Sequence, residues 1–83
     1  MRIDKYLKVS RILKRRAVAK ELADNDRILI NDKIAKASTT IKVDDTITVI
    51  FGNRSLKVKV LLLKEHVKKE ESTDLYEIIE ELR

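Results

Sequence analysis

The chain has 83 residues, of which 40% are charged, a formal net charge of +5 and no cysteine. This length allows one small core, and the missing cysteine excludes disulfides and thiolate metal sites. No apolar run approaches the length that spans a bilayer, so we expect a cytoplasmic protein without a membrane segment.

Two short helices are predicted at the start of the chain. Ile3, Tyr6 and Leu7 recur at the spacing of a helix face, which predicts a helix over about residues 3–9. A second helix is predicted over about residues 14–24, ending at Asn25-Asp26, because Asn and Asp tolerate left-handed backbone. Its buried side is expected to carry Ala17, Val18 and Leu22.

A strand and a loop are predicted next. The alternating run RILI, residues 27–30, predicts a strand that is closed by a turn at residues 31–33. The following segment, KIAKASTTIKVDD, has no sustained period and is expected to form a connecting loop. Asp44-Asp45 then forms a turn.

A hairpin follows this loop. The alternating run TITVIF predicts a strand over residues 46–51, and GNR predicts the turn. The run SLKVKVLLL predicts the returning strand over residues 55–63. Its inward side chains are expected to be Leu56, Val58, Val60 and Leu62.

The last segment is expected to be a charged linker and an acidic tail. Ser72 or Thr73 could cap a helix, which would carry one apolar stripe of Leu75, Ile78, Ile79 and Leu82. The stripe could pack on the sheet or form a protein-interaction surface.

The predicted fold is α+β, with two helices on a small antiparallel sheet and a C-terminal helix. The domain boundaries are residues 1–63 for the folded domain with its hairpin and 64–83 for the linker and tail.

Charge is distributed unevenly along the chain. Residues 70–83 contain six acids and one base, whereas residues 1–69 contain 18 bases and 8 acids. The first 20 residues contain eight bases and a single acid, Asp4. Such a block is typical of a nucleic-acid-binding protein. A solvated surface that only keeps the protein soluble would have the same composition.

No motif predicts catalysis. His66 stands in a polar segment without partners, and the adjacent carboxylates of Asp44-Asp45 suit a turn better than a paired acid and base. No glycine-rich loop or nucleophile motif is present, and so short a chain has little room for a water-excluding pocket. We therefore expect no enzyme activity, no cofactor and no metal site.

The cations, in contrast, gather on the two predicted helices. Two short helices meeting at an angle would place their polar sides on one concave surface, and phosphates there would suit the positive N-terminus of the second helix. With few aromatic residues for base stacking, recognition of the backbone shape of folded RNA fits best. A helix-turn-helix DNA reader is the alternative, but the second helix offers few side chains that read base edges. The predicted RNA-binding residues are Arg2, Lys5, Lys8, Arg11, Lys14, Arg15, Arg16, Lys20 and Lys36.

Residues 1–50 resemble the RNA-binding domain named after the fourth protein of the small ribosomal subunit, the αL motif. The resemblance rests on the opening run RIDKYL, the Arg-x-x-Ala-Lys run of the second helix, the RILIN strand and the Lys-x-Ser loop. Three family glycine positions carry an aspartate here: Asp26, Asp32 and Asp44. Arg15 stands where the family often has a Ser or Thr that caps the helix.

The whole chain resembles RqcP and the related small heat-shock ribosome-associated proteins. That resemblance implies a monomer that binds a large ribosomal subunit, through its rRNA and a P-site peptidyl-tRNA, after a stalled ribosome splits. The RqcP branch works beside a tailing factor of the RqcH type that adds alanine to the stalled chain, whereas the heat-shock branch does not require it. By position, Arg2 and Arg16 match the leading RNA-contacting arginines, and Asp4 is expected to orient a neighbouring base. Supporting roles fall to Lys5, Arg11, Lys14, Arg15 and Lys36.

Overall fold

The computed structural model describes residues 1–82. Two α-helices, α1 (Ile3–Val9) and α2 (Arg16–Asp24), precede the sheet. The strands are β1 (Ile28–Ile30), β2 (Lys33–Ile34), β3 (Thr46–Phe51), β4 (Arg54–Val60) and β5 (Tyr76–Leu82), and a 3-10 helix (Lys69–Leu75) precedes β5. All neighbouring strands are antiparallel, in the order β2-β1-β3-β4-β5. The predicted α+β class is confirmed.

The core lies between α1 and the sheet. Ile3, Tyr6 and Leu7 are fully buried, as their helical spacing predicts. They meet the alternating inward side chains of three strands: Ile28, Ile47, Val49, Val58 and Val60. Burial of these apolar side chains supplies most of the driving force for the fold.

The buried side of α2 differs from the prediction. The helix begins at Arg16 rather than Lys14, and Arg15 is its N-cap without a side-chain cap hydrogen bond. The predicted contacts of Ala17 and Val18 are wrong, since both are exposed, while Leu22 is half-buried. The buried side chains are instead Ala19 and Ala23, which lie four residues apart on one face and are small enough for close packing.

Three aspartates supply the turns for which a glycine is usual. Asp26, Asp32 and Asp44 all have positive φ, at 59°, 66° and 78°. Asp26 ends α2 in a Schellman motif, because its N–H donates to the Ala23 oxygen and the next N–H donates to the Leu22 oxygen. The aspartates therefore adopt the left-handed backbone that glycine adopts more easily.

A short hairpin follows β1. Asn31 and Asp32 both have positive φ, which is the signature of a type I′ turn, and Ile30 pairs with Lys33 across it. Lys33 and Ile34 therefore form β2, although we expected a loop there. Two residues are too short a run for the period of a strand to be recognised in the sequence.

The C-terminal segment corrects the prediction of an apolar helical stripe. A 3-10 helix covers Lys69–Leu75, but the residues from Tyr76 to Leu82 form β5 and pair with β4. Leu75 is buried, whereas Ile78, Ile79 and Leu82 remain about half exposed. β-branched and aromatic residues favour a strand, and the free edge of β4 supplies the partner.

The returning strand of the hairpin is also shorter than expected. β4 ends at Val60, and Leu62 is 42% exposed rather than inward. The chain leaves the ladder because the N–H groups of Leu61 and Leu62 both donate to the main-chain oxygen of Leu75. Within residues 1–82, no helix has the length and apolarity needed to cross a bilayer.

Candidate nucleic-acid interface

A buried carboxylate organises the cationic surface. Asp4 lies in the first turn of α1 and its side chain is 7% exposed. Arg2 donates to it from Nε and Nη2, each at 3.2 Å, and Arg16 donates from Nη2 at 3.2 and 3.3 Å. One negative charge thus holds two guanidinium groups, and the arginine side chains that carry them are 54% and 45% exposed. Each guanidinium keeps further N–H donors that face solvent.

The position of Arg2 is set by the chain that follows β2. Ile3 N–H donates to the Thr39 oxygen at 2.8 Å, Asp4 N–H to the Ala37 oxygen at 3.2 Å, and Ile41 N–H to the Met1 oxygen at 3.0 Å. Arg2 and Thr40 form an isolated antiparallel bridge. The N-terminus is therefore fixed against this loop, which also carries Lys36.

One groove runs along α1, and we name it the helix groove. It has a volume of about 350 Å³ and is lined by four of the predicted cations: Lys5, Lys8, Arg11 and Arg16. Glu65 and His66 close its other side, and Lys5 forms an ion pair with Glu65. The groove is open to solvent and carries a positive excess, which suits a phosphate chain.

A second groove lies beside α2 and the 35–38 segment, and we name it the loop groove. It has a volume of about 530 Å³ and is lined by three more predicted cations: Arg2, Lys20 and Lys36. Asp24 and Asp26 also line it, so the loop groove carries both negative side chains and the three cations. Arg2 lines the loop groove and Arg16 the helix groove, so Asp4 links the two grooves through its two arginines.

Two predicted residues line neither groove. Lys14 and Arg15 are exposed in the connection between α1 and α2 and at the N-cap of α2. Within residues 1–82 they form no ion pair, and the same holds for Lys8, Arg11, Lys20 and Lys36. Among the acids that the structure describes, ion pairs form with three of the nine predicted cations: Arg2, Lys5 and Arg16.

The backbone of Arg11 is strained. Its φ is 62°, in the left-handed region that a side chain with a Cβ adopts at a cost. This conformation follows the C-terminus of α1 and lets Leu13 N–H donate to the Leu7 oxygen at 3.0 Å. Leu13 is thereby buried, while Arg11 lines the helix groove.

The contribution of residues 65–67 to the helix groove was not predicted. The sequence around Glu65, His66 and Val67 is polar and has no periodicity, which predicts a linker. His66 is exposed, as expected, but it lines the groove. Val67 is half-buried, and it was the only apolar residue that could have indicated packing there.

The geometry suits a polyanion with separated phosphates. Exposed guanidinium groups can form forked hydrogen bonds to phosphate oxygens, and the buried carboxylate restricts their rotamers before a ligand arrives. Within the described residues, no cluster of three or more His, Asp or Glu side chains could hold a metal ion.

The fold and this surface define the class of the protein, and comparisons with known proteins agree. The model of the S4 domain family matches residues 1–47, more than half of the chain. The heat shock protein 15 of Vibrio cholerae superimposes with a TM-score of 0.85 at 23% identity, covering 94% of this chain and 80% of that protein. This is a protein with an S4 domain.

Two relatives match along nearly the whole chain. A protein of Streptococcus pneumoniae named RQC P-site tRNA stabilizing factor is 58% identical, covering 100% of this chain and 94% of the relative. A protein of the same name from Bacillus subtilis is 52% identical, covering 98% and 94%. The chain belongs to the family of RQC P-site tRNA stabilizing factors, RqcP, which confirms the resemblance.

Proposed function

We propose that this protein is a non-enzymatic RNA-binding factor of ribosome-associated quality control. It binds the obstructed large ribosomal subunit and stabilises the P-site tRNA that still carries the stalled chain. The names of the relatives from Streptococcus pneumoniae and Bacillus subtilis support the tRNA-stabilising part of this proposal. The S4 domain match supports the RNA-binding part.

One observation carries the proposal. The guanidinium groups of Arg2 and Arg16 share the carboxylate of Asp4, and the two residues line different grooves. A surface with two cationic grooves joined by one buried acid can hold two phosphate chains in a set relative position. Large-subunit rRNA and the P-site tRNA are the two chains that we propose.

The recognition mode follows from the side chains of the surface. The three aromatic residues do not form a stacking platform, because Tyr6 is buried and Phe51 and Tyr76 are half-buried. Arginine and lysine side chains bind phosphate with little regard to base identity. We therefore propose recognition of RNA shape through the backbone, rather than the base reading of a DNA regulator.

The finer role is also a proposal. The protein acts as a monomer in the cytoplasm beside a nascent-chain tailing factor of the RqcH type, and it assists alanine tailing by holding the tRNA in place. Its RNA-binding residues are the nine predicted cations, with Asp4 as the orienting acid. A recycling role of the heat-shock type, without a tailing factor, is the alternative.

The binding proposal is tested by a double substitution with a matched control. We expect the Arg2→Ala, Arg16→Ala variant to stay folded and to leave the large-subunit fraction of a sucrose gradient. The control variant Arg27→Ala, Arg54→Ala loses the same charge at two exposed arginines outside both grooves. This control should still co-sediment with large subunits. Only a general effect of net charge would release both variants equally. Equal release, or full retention of the first variant, contradicts the proposal.

The partner RNA and the tailing role need a separate experiment. The tagged protein is purified from cells, and its RNAs and proteins are identified. We expect large-subunit rRNA, peptidyl-tRNA and chains with C-terminal alanine. Recovery of the large subunit and peptidyl-tRNA without alanine tails indicates the recycling role instead. Recovery of duplex DNA without rRNA overturns the RNA proposal.

A further inference from the structure

The outer edge of β5 has no role in the proposed RNA binding. β5 is the last strand in the order β2-β1-β3-β4-β5, so it pairs with β4 on one side only. On the other side, alternate residues of Tyr76–Leu82 present main-chain N–H and C=O groups that have no strand partner among residues 1–82. An edge of this length is a template for the addition of another strand.

The same strand exposes apolar side chains. Ile78, Ile79 and Leu82 are 52%, 48% and 54% exposed. The register of the ladder shifts between Lys57 and Val58, which makes Ile79 the bulged residue of β5. Three large aliphatic side chains on one seven-residue edge strand provide apolar area for a bound chain to cover.

Glutamates along this strand form no ion pair with any cation of residues 1–82. Glu77 and Glu80 lie opposite Lys59 and Lys57 on β4. Those lysines bind aspartates elsewhere: Lys57 Nζ lies 3.2 Å from Asp32, and Lys59 Nζ lies 3.6 Å from Asp44. Within residues 1–82, the carboxylates of Glu77, Glu80 and Glu81 therefore face solvent without a cation.

A pocket lies at the end of the strand. It has a volume of about 200 Å³, and its apolar lining is formed by Ile12, Phe51, Leu56 and Leu82. Arg54 and Glu81 stand at it as well. In strand addition, main-chain hydrogen bonds provide affinity and pockets for side chains provide specificity. This pocket suits one apolar side chain of an added strand.

We propose that the outer edge of β5 binds an extended, basic segment of a partner protein as a sixth strand. Cationic side chains of that segment pair with Glu77 and Glu80, and an apolar side chain enters the pocket beside Leu82. A second copy of this chain is a poor occupant. Pairing β5 with β5 would bring the glutamates of both copies together, and the opposite edge, β2, has only two residues.

The test uses the full chain and a short synthetic peptide in which lysine alternates with valine and isoleucine. A peptide with glutamate in place of lysine and a peptide of lysine and glycine are the controls. We expect the first peptide alone to shift the amide NMR signals of β5. The variant Glu77→Lys, Glu80→Lys should weaken its binding about tenfold or more. The matched variant Glu70→Lys, Asp74→Lys reverses two charges in the same acidic segment but outside the strand, and it should bind as the natural chain does.

Each other outcome overturns the proposal. Equal weakening by both variants, or equal binding of the lysine-glycine peptide, means that only charge attracts the peptide. If no peptide shifts the amide NMR signals of β5, the strand does not form the proposed binding site. A concentration-dependent mass of the protein alone, abolished by Glu77→Lys and Glu80→Lys, makes a second copy the occupant. The peptide result does not depend on the RNA proposal, because neither the helix groove nor the loop groove is lined by a residue of β5.

Discussion

The phenolic oxygen of Tyr6 lies 2.6 Å from the main-chain oxygen of Leu75, to which it donates a buried hydrogen bond. The two residues are 69 positions apart in the chain. The Leu75 oxygen also accepts from the N–H groups of Leu61 and Leu62, at 2.9 and 3.2 Å. One carbonyl thus joins α1, the end of β4 and the 3-10 helix, and it fixes the point from which β5 starts.

Removal of this hydroxyl should weaken the fold and change its response to alkali. Tyr6→Phe should lower the free energy of unfolding by about 1 kcal/mol, as measured with urea. Burial raises the pKa of the Tyr6 phenol, and nearby Tyr76 raises it further. A raised pKa in the folded state gives stability that is present below the ordinary tyrosine value of about 10 and is lost as the pH rises above it.

The natural chain should therefore lose stability above about pH 10 more steeply than the Tyr6→Phe variant. Tyr76→Phe is the matched control, because Tyr76 is only half-buried. It should keep most of the steep alkaline dependence, because burial is the larger cause of the raised pKa of Tyr6. Parallel pH profiles for the natural chain and Tyr6→Phe would contradict this assignment.

Neutralising Asp4 separates preorganisation from net charge. Asp4→Asn raises the net charge by one, which by itself would strengthen RNA binding. We expect the affinity for isolated large ribosomal subunits to fall instead, by about tenfold, because both guanidinium groups lose the carboxylate that orients them. The free energy of unfolding should fall by about 1–3 kcal/mol. The matched control Asp32→Asn makes the same change in net charge at an exposed acid. A rise in affinity for Asp4→Asn would refute the orienting role of Asp4.

Arg11 should show a trade-off between stability and binding. Arg11→Gly removes the Cβ from a residue with a φ of 62° and should raise the free energy of unfolding by about 1 kcal/mol. The same change removes a cation from the helix groove and should weaken binding to large subunits. Arg11→Ala is the matched control, because it loses the charge but keeps the Cβ. Chemical denaturation should show no gain for Arg11→Ala, and a gain there would exclude backbone strain as the cause.

Glu65 should compete with RNA for Lys5. Glu65→Gln removes the anion that pairs with Lys5 in the helix groove. We expect RNA affinity to rise about threefold, with a steeper salt dependence because one more cation meets phosphate. Glu70 is an exposed acid outside the groove, so Glu70→Gln should leave the salt dependence of RNA affinity unchanged. If RNA affinity depends on salt equally in Glu65→Gln and in the natural chain, Lys5 does not contact phosphate.

Asp45 should give the fold its sensitivity to acid. Burial raises the pKa of Asp45, but hydrogen bonds from the Asn31 amide and the Lys42 N–H, with the Lys42 charge, outweigh burial and hold the pKa below its ordinary value. A lowered pKa gives stability that is present above the ordinary value of about 4 and is lost as the pH falls through the folded-state pKa. Urea unfolding of Asp45→Asn should therefore vary less between pH 7 and pH 3. Asp44→Asn, at an exposed neighbour with its own ion pair, should retain the natural pH dependence.

Local patterns in the sequence were enough to predict the helix and the strand whose apolar side chains recur with a regular period. The spacing of Ile3, Tyr6 and Leu7 predicted α1 over residues 3–9, and the alternation of TITVIF predicted β3 over residues 46–51, both as observed. The clustering of cations in the first 20 residues likewise follows from the sequence. These features depend on the period of one element, which its own residues carry.

The tertiary structure alone decided how those elements present their side chains. The stripe of Leu75, Ile78, Ile79 and Leu82 fits a helix by spacing, but pairing with the free edge of β4 makes Tyr76–Leu82 a strand. Glu65 and Val67 reach the helix groove only because the chain folds back past α1. Pairing and packing between residues far apart in the chain have no local period, so the sequence determined which cations are available and the fold decided which grooves they line.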